Sequence, residues 1–275
     1  MSTLLTSRNN PLIKTIRLVG AQQRSAPSEF VLAEGIRVIR EALHSGRTLD
    51  AVLVGERFGR RPEEEALVSQ LPGRGIRLCR VSEALLLSLS AVSTPQGALA
   101  LVHLPAVELC SAPLPENPLL LCACGIQDPG NLGTLIRTAW AAGASMILTT
   151  RDTASARNPK AVRASAGACF HLPIVEHLEP FQVQEYCRLH NIHLCRTIPH
   201  SGKIYTQVDF RIPTAILLGN EARGISELDW NNIPAVSIPM AQSAESLNVA
   251  SAGAILLFEI LAQRSKLPRA SPGKE

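Results

Sequence analysis

Residues 238–249 read Ile238-Pro-Met-Ala-Gln-Ser-Ala-Glu-Ser-Leu-Asn-Val249, and the run that follows is Ala250-Ser-Ala-Gly-Ala-Ile-Leu-Leu-Phe258. A β-branched residue followed by Pro ends a strand, a small polar loop comes next, and the apolar run holds good helix formers. The stretch therefore predicts strand, loop and helix, with Ser246 near the N-cap. Ser246 and Asn248 stand two apart at the helix start, where free backbone N–H groups point outward. A hydroxyl, a carboxamide and bare amides at one helix mouth either present themselves to a polar ligand or simply cap the helix. The local pattern leaves both open.

Two earlier stretches have the same character. Ile126-Gln-Asp-Pro-Gly-Asn-Leu-Gly-Thr-Leu-Ile-Arg-Thr138 and Leu217-Leu-Gly-Asn-Glu-Ala-Arg-Gly-Ile225 are strand-to-loop transitions carrying Asn, Gly and a charged residue. In the first, Pro129 and Gly130 make the turn and Asn131 is expected to cap a helix ending at Gly143. Arg137 lies three residues after Thr134 and four after Gly133, which predicts one shared face with Gly133 clearing room for the guanidinium. A helix-surface ion pair would be the plain alternative for Arg137.

In this order and spacing the three stretches closely resemble the signature motifs of the SpoU (TrmH-like) RNA methyltransferases of the SPOUT superfamily. The resemblance covers roughly residues 118 to 263. It implies a parallel sheet whose C-terminal segment threads a loop to form a trefoil knot, with S-adenosylmethionine bent within the knotted loops. By analogy, backbone groups around Leu218, Gly219, Ile238, Met240 and Leu247 hold the cofactor, and Asn131, Arg137, Glu221, Ser246 and Asn248 line the acceptor side. It also implies a homodimer with the knot region at the interface, and transfer of a sulfonium methyl to a ribose 2′-hydroxyl. Such a displacement gains mostly from positioning an aligned acceptor oxygen.

Proposals for the family make the arginine a base. Bringing a guanidinium of pKa above about 12 to neutrality at pH 7 costs at least about 7 kcal/mol. An anchor for phosphate that stabilises developing alkoxide suits Arg137 better, with Glu221 orienting it. One departure stands out: where the family carries Gly two residues after the Met, this chain has Gln242. If the Gly serves positive φ or close approach of ligand, Gln242 weakens cofactor binding. A second reading follows, a catalytically idle RNA-binding protein retaining the fold. The complete polar set favours the enzyme, with ribosomal RNA as substrate because the two-domain layout resembles those members.

The rest of the chain fits an α/β protein of two domains. Its 275 residues are ample for a core, 46% are apolar and 18% charged, and no apolar run reaches membrane-spanning length. The N-terminus lacks a signal peptide's basic start and apolar core, and seven Cys without regular spacing point to reduced thiols in a cytoplasm. Cys122 and Cys124, two apart with no His nearby, make a poor zinc site, as do His190 and His193, so no metal is expected. No Gly-x-Gly-x-x-Gly follows an early strand and no Walker loop occurs; Gly73-Arg-Gly75 lacks the third Gly. A Rossmann-type enzyme is disfavoured.

Net charge is +4, and all of it lies in residues 1–105, with 13 Lys or Arg against 9 Asp or Glu. Such an excess suits attraction to phosphate. Those residues form a compact α/β unit: helix from Asn10, strand Phe30–Ala33, helix Gly35–His44 stopped by Gly46, strand Ala51–Val54, a helix opened by Glu63-Glu-Glu65, and strands Ile76–Val81 and Ala98–Val102. This resembles the small RNA-binding domain that SpoU enzymes share with certain ribosomal proteins. Arg8, Asn9, Asn10, Lys14 and Arg37 are candidates for RNA backbone contacts.

The Pro-rich segment 106–117 reads as a linker, 118–268 as the SPOUT domain and 269–275 as a flexible tail. Within the second domain, strands are expected at Leu119–Cys124, Met146–Thr150, His171–Val175, His193–Thr197 and Thr214–Leu218. Helices are expected at 159–168 and 181–190. Arg157, Lys160 and Arg163 cluster there and either touch RNA or form a solvated helix face.

Overall fold

The computed structural model describes residues 4–92, 95–220, 230, 232–241 and 245–265. Contacts gather these into two units, Met1–Val107 with Ser155–His171, and Glu108–Ala154 with Leu172–Glu275.

In the first unit, Asn10 opens α1 (Pro11–Gly20), its side chain accepting from the amide of Leu12 with Pro11 at the first helical position. Then come β1 (Phe30–Glu34), α2 (Ile36–His44), β2 (Leu49–Gly55), α3 (Pro62–Gln70), β3 (Arg77–Val81), α4 (Glu83–Leu89) and β4 (Ala98–His103). The strands form one sheet in the order β1-β4-β2-β3, with only β2 and β3 parallel.

The pleat divides its helices. Leu32, Leu53, Leu99, Leu101 and Val81 form one buried cluster with Ile13 and Ile16 of α1 and Leu85, Leu86 and Leu89 of α4. Val31, Ala33, Val52, Val54, Ala100 and Val102 alternate with these and are buried too. They need cover on the opposite face, where α2 packs on β1 and β4 and α3 packs on α2. Thus α1 and α4 lie on one side of the sheet, and α2 and α3 on the other.

Residues 155–171 contain α6 (Pro159–Ala164), shorter than expected because Ala166 and Gly167 take positive φ. Arg163 reaches Glu34, a carboxylate only 5% exposed at the end of β1. Glu34 also accepts from Ser90 Oγ and from the amide of Ala91. Arg157 donates to the carbonyl of Ser28, and His171 meets Glu41 at 3.1 Å. Arg157 and Arg163, which the sequence offered to RNA or a solvated helix face, each hold a partner within this unit.

The second unit carries β5 (Leu119–Ala123), α5 (Pro129–Ala141), β6 (Met146–Thr150), β7 (Ile174–Leu178), α7 (Pro180–Leu189), β8 (His193–Thr197), β9 (Lys203–Ile204), β10 (Thr214–Leu218), β11 (Ala235–Ser237) and α8 (Val249–Arg264). All seven strands are parallel, in the order β7-β6-β5-β10-β8-β11-β9. The strand expected at His171–Val175 begins instead at Ile174, because Pro173 has no N–H for the ladder. The loops expected to take part in threading include residues 221–229 and 242–244, which lie outside the described residues, as do Glu221, Gln242 and the tail 266–275.

Helix α8 lies against α5. A Cβ on Gly253 would come within 2.3 Å of Leu135 Cδ2 and 2.8 Å of Leu218 Cδ1, so the close approach to α5 and β10 needs glycine there. Burial pushes the thiols of Cys169 and Cys195 up to about 11 and that of Cys187 up to about 12. They behave as inert apolar residues.

The far end of α8 is held by Arg264. Its guanidinium donates to the carbonyls of Phe210 at 2.9 Å, Asn117 at 3.0 Å, Pro118 at 3.2 Å and Ile212 at 2.6 Å. Partial burial lowers its pKa. Arg264→Met keeps the aliphatic stem but orphans these acceptors, and is expected to cost about 2–4 kcal/mol. Arg264→Lys should rescue little, since an ammonium lacks the planar fork. Urea denaturation checks both; a loss below about 0.5 kcal/mol for the Met variant contradicts the clamp.

Candidate active site

The site is built where helix starts and strand ends meet in the second unit. Asp128, not Asn131, caps α5: its carboxylate accepts from the amide of Asn131 at 3.2 Å, and Pro129 holds the first helical position. Asn131 is thereby inside the first turn. Asn248, not Ser246, caps α8. Its Oδ1 accepts from the amides of Ala250 at 2.9 Å and Ser251 at 3.3 Å.

That leaves the Nδ2 of Asn248 free to donate to Asn131 Oδ1 at 3.2 Å. One carboxamide therefore ends one helix and ties it to the start of another. Ser246 and Leu247 precede it in exposed chain.

The loops after the strands are fixed from behind. Gly125, at φ +66° just beyond β5, donates its amide to Thr150 Oγ1 at 3.1 Å and Thr153 Oγ1 at 3.0 Å. Its carbonyl accepts from Asn220 Nδ2 at 2.7 Å. Thr197, at the end of β8, donates its hydroxyl to the carbonyl of Leu217 at 2.9 Å.

Between these loops and α8 lies a cavity of about 500 Å³. It opens at the carboxyl ends of β8, β10 and β11, the usual place for ligands in parallel sheets. Leu218, Gly219, Ile238, Met240 and Leu247 all line it, as does Ser246. Its volume falls within the roughly 300–1,000 Å³ of small-molecule sites. The walls are mixed: Leu218, Ile238, Met240 and Leu256 are apolar, whereas Thr197, Asn220 and Glu245 are polar. Such a lining can stack a purine and meet a cationic group.

Thr197, Asn220 and Glu245 were not flagged by the motif reading. Asn220 sits inside the second motif and could have been singled out for its amide; Thr197 is placed by strand order, which no local pattern carries.

Arg137 stands apart. It is exposed on α5, six residues and about 9 Å along the helix from Asn131, with no hydrogen-bond or ion-pair partner among the described residues. Thr134 is exposed beside it, its hydroxyl donating to the carbonyl of Gly130 at 2.9 Å. Gly133 is buried, so it does not share the exposed face as the spacing suggested.

Of the candidates in the first unit, Arg8, Asn9 and Lys14 are exposed around the start of α1, and Asn10 is occupied as its cap. Arg37 is exposed on α2, across the sheet from them.

Residues 118–258 match the SpoU rRNA Methylase family, and residues 10–100 match the MRM3-like substrate binding domain. The chain belongs to the SpoU rRNA methylase family. It is 31% identical to the 23S rRNA (guanosine(2553)-2′-O)-methyltransferase RlmP of Bacillus subtilis, over 93% of this chain and 98% of that one. Among solved structures it resembles an RNA 2′-O ribose methyltransferase, with TM-score 0.80 and 35% identity over 95% of this chain and 99% of that chain. It also resembles the SpoU methyltransferase AviRb of Streptomyces viridochromogenes, solved in complex with the cofactor AdoMet. There the TM-score is 0.81 and the identity 29%, over 93% of this chain and 99% of that chain.

The two jobs of Asn248 can be separated. Asn248→Ala removes the cap and the bridge, and is expected to lower stability by about 1 kcal/mol or slightly more. Asn248→Asp keeps an oxygen for the amides of Ala250 and Ser251 and places a negative charge at the positive helix end. It should melt within a few degrees of wild type. An Asp variant that melts as low as the Ala variant would show that the bridge, not the cap, carries the stability.

Proposed function

We propose that this member of the family transfers the methyl group of S-adenosylmethionine to a ribose 2′-hydroxyl of RNA, with 23S ribosomal RNA as substrate. The observation that carries the reading is the convergence of the second and third motifs on one cavity beside the Asn131–Asn248 pair. Nothing in the structure or in the relatives favours the idle alternative.

S-adenosylmethionine supplies an electrophilic sulfonium methyl. The apolar walls at Leu218, Ile238, Met240 and Leu247 would enclose its purine. Glu245 is the one charged side chain among the described residues lining the cavity, and its sign suits a cationic ligand. The residues present therefore fit the group.

The chain's own task is to align the acceptor oxygen and help it lose its proton. Ser246 borders the cavity, and Asn131 and Asn248 stand at paired helix mouths whose positive ends favour developing negative charge. Arg137 would anchor a substrate phosphate and thereby position the ribose. Helical side chains lean toward the N-terminus, so its guanidinium would reach back toward the N-terminal end of α5. Glu221, outside the described residues, is proposed to orient it. The basic first unit would hold the RNA.

We further propose a homodimer formed through α8. Ile255 and Phe258 are 36% and 50% exposed on one stripe of that helix, an unusual place for large apolar groups. A cytoplasmic location agrees with seven free thiols and with no described helix being long and apolar enough to cross a membrane.

Arg137→Ala retains a strong helix former at an exposed position, so thermal stability and S-adenosylmethionine affinity should stay near normal. Methyl transfer should fall by about 10²–10³-fold or more. Arg137→Lys should recover only part of that. Single-turnover methylation of 23S rRNA measures this, and a near wild-type rate for the Ala variant would return Arg137 to the helix surface. Phe258→Asp is expected to convert a dimer into monomers in sedimentation velocity. A wild-type protein that sediments as a monomer removes the dimer reading.

A further inference from the structure

The first unit contains a second cavity, of about 550 Å³, between α2 and α3. Arg37, Arg40 and His44 stand on its floor at positions i, i+3 and i+7, one exposed stripe of α2 whose opposite side buries Val38, Ile39, Ala42 and Leu43. Arg61, the residue that opens α3, faces them. The walls are fixed to each other, because Arg40 Nη2 donates to the carbonyl of Glu63 at 2.7 Å.

The acids of this cleft are already engaged. Glu41 meets His171 at 3.1 Å, and Glu63 meets Arg61 at 3.6 Å. Arg37 has no hydrogen-bond or ion-pair partner among the described residues, and Arg60, exposed next to Arg61, has none for its side chain there either. Arg61 is held by Glu64, its Nε donating at 2.7 Å, so the forked positive surface is that of Arg37, Arg60 and the remaining donors of Arg40.

We infer that this α2–α3 cleft is the seat of the RNA phosphodiester backbone on the first unit. The inference rests on the RNA methyltransferase reading and deepens it by choosing one side of the sheet. From Arg37 to His44 the stripe spans about 10 Å, enough for more than one phosphate along a strand. The face bearing α1 is the poorer choice: its exposed Arg8 and Lys14 flank a helix start whose Asn10 is spent on capping, and neither lines the α2–α3 cavity. Arginine forks in a concave site hold phosphate through paired hydrogen bonds, whereas scattered surface cations supply only screened attraction.

The test uses the full chain and a 23S rRNA transcript, with binding followed by fluorescence anisotropy from 50 to 300 mM salt. Arg37→Glu and Arg60→Glu replace exposed side chains without removing a structural hydrogen bond, and circular dichroism confirms folding. Each should weaken RNA binding by about 5–20-fold and reduce the salt slope by about 1 or more. Lys14→Glu, with the same charge change across the sheet, should stay within about twofold. S-adenosylmethionine affinity should be unchanged in all three. The cleft is overturned if Arg37→Glu binds like wild type, or if Lys14→Glu is as damaging. Wild-type protein that binds S-adenosylmethionine but no RNA at any salt would overturn the methyltransferase reading as well.

Discussion

The second unit depends on how closely α8 lies against α5 and β10. Gly253 sets that distance, since even one methyl there would overlap Leu135 and Leu218. Five residues earlier, the same helix begins at Asn248, so its position is inherited from the packing at Gly253. The other partner, Asn131, is placed by the short turn from β5 through Asp128 and Pro129. Two helices anchored on adjacent parallel strands thus bring their starts together, and both starts carry partial positive charge. The cavity between the loop ends and α8 follows from that arrangement.

Much of this was legible because strand-to-helix transitions leave strong marks. Pro after a β-branched residue, Gly or Asn in the loop, and a small apolar run afterward located the first and third motifs on the correct elements, and the second at the end of β10. The caps were read less well. Ser, Asp and Asn are nearly equal as caps, so two candidates within three residues cannot be ordered by propensity. Pro129 did carry the answer for α5, because Pro favours the position directly after the cap. Helix α4 was missed although Ser82-Glu83 precedes Leu85, Leu86 and Leu89 at helical spacing. The burial of Gly133 could not be read from its neighbours, since it depends on which side α8 covers.

Longer-range pairings account for the remaining differences. Glu34 ends an apolar strand and reads as an ordinary surface acid, yet it is buried against Arg163, 129 residues away. An unpaired carboxylate there would be costly, and the half-buried arginine balances its charge. The same reasoning divides the five RNA candidates of the first unit. They lie within 30 residues of one another in sequence, but the alternation of β1 sends α1 to one side of the sheet and α2 to the other. Only knowledge of the pleat separates them.

The position of Arg137 bears on the chemistry. A guanidinium can serve as a base only where its charged form is penalised, which requires burial or neighbouring positive charge. Arg137 is exposed on α5, and no described side chain presses a second cation against it. The role proposed for such a group is electrostatic: it would grip a phosphate and lower the cost of negative charge growing on a ribose oxygen. In that proposal polar positioning falls to Asn131 and Asn248, which are tied to each other at the two helix starts, and to Ser246 in the exposed chain before α8. A division of this kind would let the cofactor side be preformed while the acceptor side completes only when RNA supplies its phosphate.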